Sequence, residues 1–128
     1  MNDDPIVFDD EDRSNFVRLL HSTVRRYGWR CYAYCLMTTH YHLLLGSTRG
    51  ALSSGLRRLN GFHAQGLNKR HGRRGHLFGD RFSAFIVEGD EYLEAASRYI
   101  LLNPVRAGLC ATAAEWPWSD SYFGKDVE

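Results

Sequence analysis

At 128 residues, 44% hydrophobic and 24% charged, the chain is sized for one globular domain, residues 1–128, around a single core, and its composition is not that of a disordered protein. It has no apolar run long enough to cross a bilayer. An acidic Met1-Asn2-Asp3-Asp4 start and three cysteines without CxxC spacing predict a cytoplasmic protein with reduced thiols, excluding secretion and a disulfide scaffold. The net charge of +1 hides a segregation: residues 1–12 carry six acids and no base, residues 13–87 thirteen bases against Asp80 alone, and residues 88–128 eight acids against three bases.

Phe16, Leu19, Leu20, Val24 and Tyr27 recur at helical spacing and predict a helix over Arg13 to Tyr27, with acids at its start and Gly28 at its end. Trp29 to Met37 alternates as a strand, placing Trp29, Cys31, Ala33, Cys35 and Met37 on one face and Tyr32, Tyr34 and Leu36 on the other. His40 to Leu45 is a second strand, close enough to the first to form an antiparallel hairpin. Ser53 or Ser54 is placed to cap a second helix running to about Lys69. A basic loop punctuated by Gly72 and Gly75 follows, then a strand over Phe82 to Val87 and a third helix from Asp90 to about Leu102, stopped by Pro104. The tail, with Trp116, Trp118, Tyr122 and Phe123, is aromatic enough to pack on the domain. The order α-β-β-α-β-α predicts an α+β fold of helices on an antiparallel sheet.

Three features bear on chemistry. His40 and His42 stand at i and i+2 of a strand, so both imidazoles leave the same face and can converge on a divalent metal. The competing reading is two polar residues on a solvated strand face. Tyr99 and Asn103, four apart, share a flank of the third helix beside the stripe of Leu93, Ala96 and Ile100; a core-edge tyrosine is the plainer alternative. Finally, of sixteen bases only Lys69 and Lys125 are lysine. Arginine's planar fork grips phosphate and stacks on bases, so the basic middle suits a polyanion such as nucleic acid as well as it suits a solvated surface.

Taken together, these segments carry a resemblance. His40-Tyr41-His42, Leu59-Asn60, the tract from Arg70 to Phe78 followed by Arg81-Phe82, Tyr99 to Gly108 and Trp116 to Tyr122 occur in an order and spacing similar to the IS200-like single-tyrosine transposases, in particular their REP-associated branch. The likeness covers about residues 6–123. It implies a ferredoxin-like antiparallel sheet of the HUH nuclease type with helices packed on one face. It also implies a transposase or nuclease that cleaves and rejoins single-stranded DNA near REP-like hairpins through a 5′-phosphotyrosine. By this likeness Tyr99 is the nucleophile, and His40, His42 and Asn103 hold Mg²⁺ or Mn²⁺. Arg57, Arg58, Arg70, Arg73, Arg74 and Arg81 contact DNA, with Phe78, Phe82 and Tyr41 left open as base-stacking candidates. His71 and His76 are left between the metal site and phosphate contact or loop packing. The setting implied is the prokaryotic cytoplasm, at the nucleoid, as a homodimer.

Two departures stand out. Thr38-Thr39 replaces the Pro-Asn that relatives carry before the first histidine. Relatives also open with a strand ending in Arg-Gly, where this sequence has only Pro5-Ile6-Val7-Phe8 before its first helix. Without that central strand, the strand carrying the histidines is expected to expose ladder groups, to be covered by another chain or by residues 3–8, and dimerisation is the expectation. The rival readings are a weakened relative that binds hairpin DNA without strand transfer, and a structural metal-binding protein.

Overall fold

The computed structural model describes residues 4–75, 82–86 and 92–127. Helix α1 spans Asp10–Tyr27; the Asp9 side chain accepts from the Asp12 amide at its start, and Gly28, at φ 64°, closes its end. Strands β1 (Arg30–Leu36) and β2 (Tyr41–Gly46) form the expected antiparallel hairpin. Helix α2 runs over Arg49–His71, starting earlier than Ser53 because the Thr48 hydroxyl caps the Ala51 amide. Strand β3 (Phe82–Ile86), helix α3 (Leu93–Leu101), a one-turn helix α4 (Asn103–Arg106) and strand β4 (Ser119–Ser121) complete the order. Asp90, the expected cap of the third helix, lies outside the described residues. Pro104 does not simply end that helix: it sits in the first turn of α4, where its missing N–H costs nothing.

The fold is α+β, as expected, with two corrections to its layout. The sheet order is β3-β2-β1-β4; β1 is antiparallel to β2 and β4, but β3 pairs with β2 in parallel. The link from β2 through α2 to β3 is thus a crossover that returns to the very edge of β2. Among the described residues no strand precedes α1, and β3 occupies the ladder beside the histidine strand that was expected to stand open. The segment before α1 is nonetheless anchored: Ile6 and Val7 are fully buried, the Ile6 amide donates to the Thr38 carbonyl at 2.8 Å, and the His63 ring nitrogen lies 2.7 Å from the Ile6 carbonyl oxygen.

Nor do the helices share one face. Phe16, Leu20, Tyr34, Leu36, Tyr41, Leu43, Leu45, Leu59 and Leu67 make the larger core between the sheet and α1–α2. Leu93 and Ile100 of α3 pack on the opposite face, against Ala33, Cys35, Met37 and Leu44. Both faces of β1 and β2 are therefore buried, a sandwich with the sheet in the middle.

A bulge in β1 between Cys31 and Ala33 alters the expected alternation. Two successive residues, Tyr32 and Ala33, then belong to the α3 side, while Trp29 and Cys31 fall on the α1–α2 side. The tail packs only in part: Trp116 and Trp118 lie against the cores, whereas Tyr122 and Phe123 are exposed, and Ser119–Ser121 forms β4. The Trp116 indole donates to the Leu36 carbonyl at 3.0 Å, and the Leu36 amide to the Trp118 carbonyl at 2.8 Å.

Candidate active site

Strand parity decides where the histidines go. Tyr41, Leu43 and Leu45 point into the α1–α2 core, so His42 and Leu44 take the other face; His42 stands opposite Cys35 in the ladder, a residue buried beneath α3. The His40 and His42 rings meet edge to face with centroids 4.8 Å apart. Between them, Tyr41 pins the strand from the far side: it is fully buried, and its hydroxyl donates to Asn60 Oδ1 of α2 at 2.5 Å. Tyr41 is thus a core anchor rather than a stacking platform.

Both imidazoles are biased to the neutral form. Burial lowers His40; burial, then the neighbouring His40 and the Arg106 charge, push His42 down to about 4. A neutral imidazole keeps the lone pair that a metal needs. His40 Nδ1 lies 3.1 Å from Thr39 Oγ1; when this nitrogen carries the proton, Nε2 is the ligand atom. The pair therefore fits a divalent ion of borderline character.

Tyr99 is on α3, the helix that covers this same face, and is 65% exposed although its neighbour Ile100 is buried. Asn103 opens α4; its Nδ2 donates to the Ile100 carbonyl and its Oδ1 accepts from Arg106, each at 3.0 Å. Arg106 is the residue that sequence reading failed to single out. Its guanidinium lies 4.0 Å from the centroid of the Tyr99 ring and donates to the Tyr99 carbonyl at 2.7 Å. Its position within the Tyr99–Gly108 motif was the available signal.

The described arginines among the expected DNA contacts belong to the other layer. Arg57 and Arg58 are on α2, Arg58 lying 4.9 Å from the centre of the Phe62 ring, which is 49% exposed. Arg74 is exposed, and Arg73 lies 5.1 Å from the centre of the Phe8 ring. Arg70 is otherwise committed: it contacts Asp9 at 3.0 Å, Glu11 at 2.5 Å, and the buried Asp12. Arg81, His76 and Phe78 lie outside the described residues, and of Phe82 only the backbone is described.

His71 Nε2 lies 2.8 Å from Asp12 Oδ2, so Asp9, Asp12 and His71 bring ligand atoms within 4.8 Å of one another. The grouping has the donor types of a metal site, but the Arg70 guanidinium already reaches both carboxylates. It supplies the positive charge they require, and the cluster ties the start of α1 to the end of α2. All three cysteines are free thiols, and burial pushes those of Cys31 and Cys35 up to about 12, which makes them unreactive.

Residues 4–103 match the family model described as "Transposase IS200 like". No curated protein and no solved structure matches the chain at a significant level.

Proposed function

The chain belongs to the IS200-like transposases, and on that footing we propose that it cleaves and rejoins single-stranded DNA near hairpins of the REP type, with Tyr99 as nucleophile. One observation carries this reading. His40 and His42, in ring contact at 4.8 Å, lie on the sheet face that α3 covers, and Arg106 joins the two sides, with its charge acting on His42 and its guanidinium on the Tyr99 ring.

A phenol with an ordinary pKa near 10 is a poor nucleophile at neutral pH. His40 and His42, with Asn103 as the third donor, would hold Mg²⁺ or Mn²⁺, whose chemistry is to polarise the scissile phosphate. Tyr99 Oη forms the new bond to phosphorus and its proton passes to solvent. The P–O3′ bond breaks, and the departing O3′ takes up a proton. One phosphodiester replaces another, so the 3′-hydroxyl can attack the 5′-phosphotyrosine in reverse and rejoin a strand without an external energy source. The exposed Tyr99 can be reached by a strand, and the arginines of the α2 layer would hold the flanking hairpin through its phosphates. A homodimer working at the nucleoid of a prokaryotic cytoplasm completes the reading. Among the described residues no helix is long and apolar enough to cross a membrane.

The test mixes the protein with labelled single-stranded hairpin DNA from the flanks of its own gene, with Mg²⁺ or Mn²⁺, beside Tyr99→Phe. A metal-dependent covalent band on a denaturing gel, absent from the variant, is the expected outcome. Hairpin binding with no band in either protein favours the binding-only reading. That reading has one observation behind it: Asn103 Oδ1 is already engaged by Arg106, which leaves two imidazoles as the uncommitted donors.

A further inference from the structure

We infer that Arg106 is a second functional residue of this site, orienting Tyr99 through Nη2 and offering Nη1 and Nε to the non-bridging oxygens of the scissile phosphate. The inference rests on the Tyr99 reading above and adds a phosphate-binding residue to it.

Arg106 closes α4, the turn that has Pro104 at its start and is followed by Ala107 and by Gly108 at φ 75°. Its Nη2 makes two hydrogen bonds, to the Tyr99 carbonyl at 2.7 Å and to Asn103 Oδ1 at 3.0 Å. The first is an ordinary helix-end contact, with a cation placed at the carbonyl end of α3. It does not account for the rest. A cap needs no stacking, yet the guanidinium lies 4.0 Å from the centre of the Tyr99 ring, a side chain otherwise 65% exposed. A guanidinium has five N–H donors in a fixed plane, and among the described residues only Nη2 has partners. The remaining edge matches two oxygens of a phosphate, which a lysine in the same place would meet as a point charge only. A phosphate bound on that edge lies beside the phenol that attacks it.

The test has two readouts. In the metal-free protein, a short single-stranded oligodeoxythymidylate is titrated against the Arg106 Nε–H resonance, assigned by its loss in Arg106→Lys. The resonance is expected to shift on binding; an unmoved resonance at saturation, or no binding at all, overturns the inference. The second readout is the rate of covalent adduct formation. Removing one preorganised donor from a developing charge costs about 100-fold or more, so Arg106→Ala is expected to slow the reaction by about that factor, with Arg106→Lys restoring part of it. Oligonucleotide binding should weaken far less. With a methylphosphonate at the scissile position the Arg106→Ala penalty should collapse, because the charged oxygen it serves is gone. An equal penalty on both substrates would mark Arg106 as a helix cap alone and overturn the inference. If Tyr99→Phe still forms the adduct, the nucleophile assignment fails, while the titration reports on Arg106 independently.

Discussion

Asp12, only 2% exposed, is met by Arg70, 58 residues later in the chain, which reaches it from the last turn of α2. The Phe8 amide at 2.8 Å and His71 complete its shell. Arg70→Ala would leave a buried carboxylate short of one of its partners, so a loss of about 1–3 kcal/mol is expected in urea unfolding. An unchanged midpoint would show that the cluster is solvated and contributes little.

The same cluster sets an acid limit. Hydrogen bonding to Arg70, then to the Asp12 amide, lowers Asp9 to about 2. Burial alone would raise Asp12, but the Phe8 amide, His71 and Arg70 outweigh it and hold its pKa below the ordinary 3.8. Both groups bind protons more weakly folded than unfolded. Their stabilisation is therefore present above about pH 4 and lost as pH falls through the folded values toward 2. Thermal unfolding from pH 6 to 2 should show this decline, and Asp12→Asn should flatten it. A decline of the same steepness in the variant would place its origin elsewhere.

Because Arg70 is committed to carboxylates and Arg57 and Arg74 are exposed, the arginines should separate in a binding assay. Arg57→Ala and Arg74→Ala should each lower the log–log salt slope of single-strand binding by about 0.7. Arg70→Ala should leave the slope alone while it lowers stability. A slope change in Arg70→Ala without loss of stability would reverse the assignment.

Gly55 offers a purely steric check. A Cβ there would lie 2.1 Å from Cζ2 of Trp29, whose indole is fixed by a 3.0 Å bond to the Ala51 carbonyl. Alanine normally improves a helix by about 1 kcal/mol over glycine. Here overpacking of about 1–3 kcal/mol should reverse the sign. Equilibrium unfolding of Gly55→Ala decides it, and a more stable variant would mean that the indole has room to move.

What was legible in the sequence was what local periodicity encodes. Phe16, Leu20 and Gly28 declare α1, and the alternation from Ala33 to Met37 declares the inner half of β1. The i, i+2 spacing of His40 and His42 was enough to put their rings together. Trp29 and Cys31 went to the unexpected face because a bulge has no periodic signature. Ser119–Ser121 is too short to alternate, and its strand character comes from pairing with Ala33–Cys35. The parallel β2–β3 contact depends on which strand reaches that edge of β2, a tertiary outcome rather than a local one. Arg70 reads as one more base in a basic tract until its distant carboxylate partners are in place. The reading of Arg106 likewise depends on α4 turning it back over Tyr99.

Among the described residues two donor clusters could hold a divalent ion, and electrostatics ranks them. At the Asp9–Asp12–His71 cluster an incoming ion would face the Arg70 guanidinium, in contact with both carboxylates. At His40 and His42 burial favours uncharged rings, and Arg106, whose charge also lowers His42, is drawn toward Tyr99 and Asn103. Mn²⁺ titrated calorimetrically into the protein should therefore bind through the histidines. His42→Ala should abolish the heat of binding. Asp9→Asn, which keeps a good helix cap while removing a charge, should leave it intact. The opposite pattern would assign the ion to the helix-end cluster and leave His40 and His42 as a polar pair on a covered strand face.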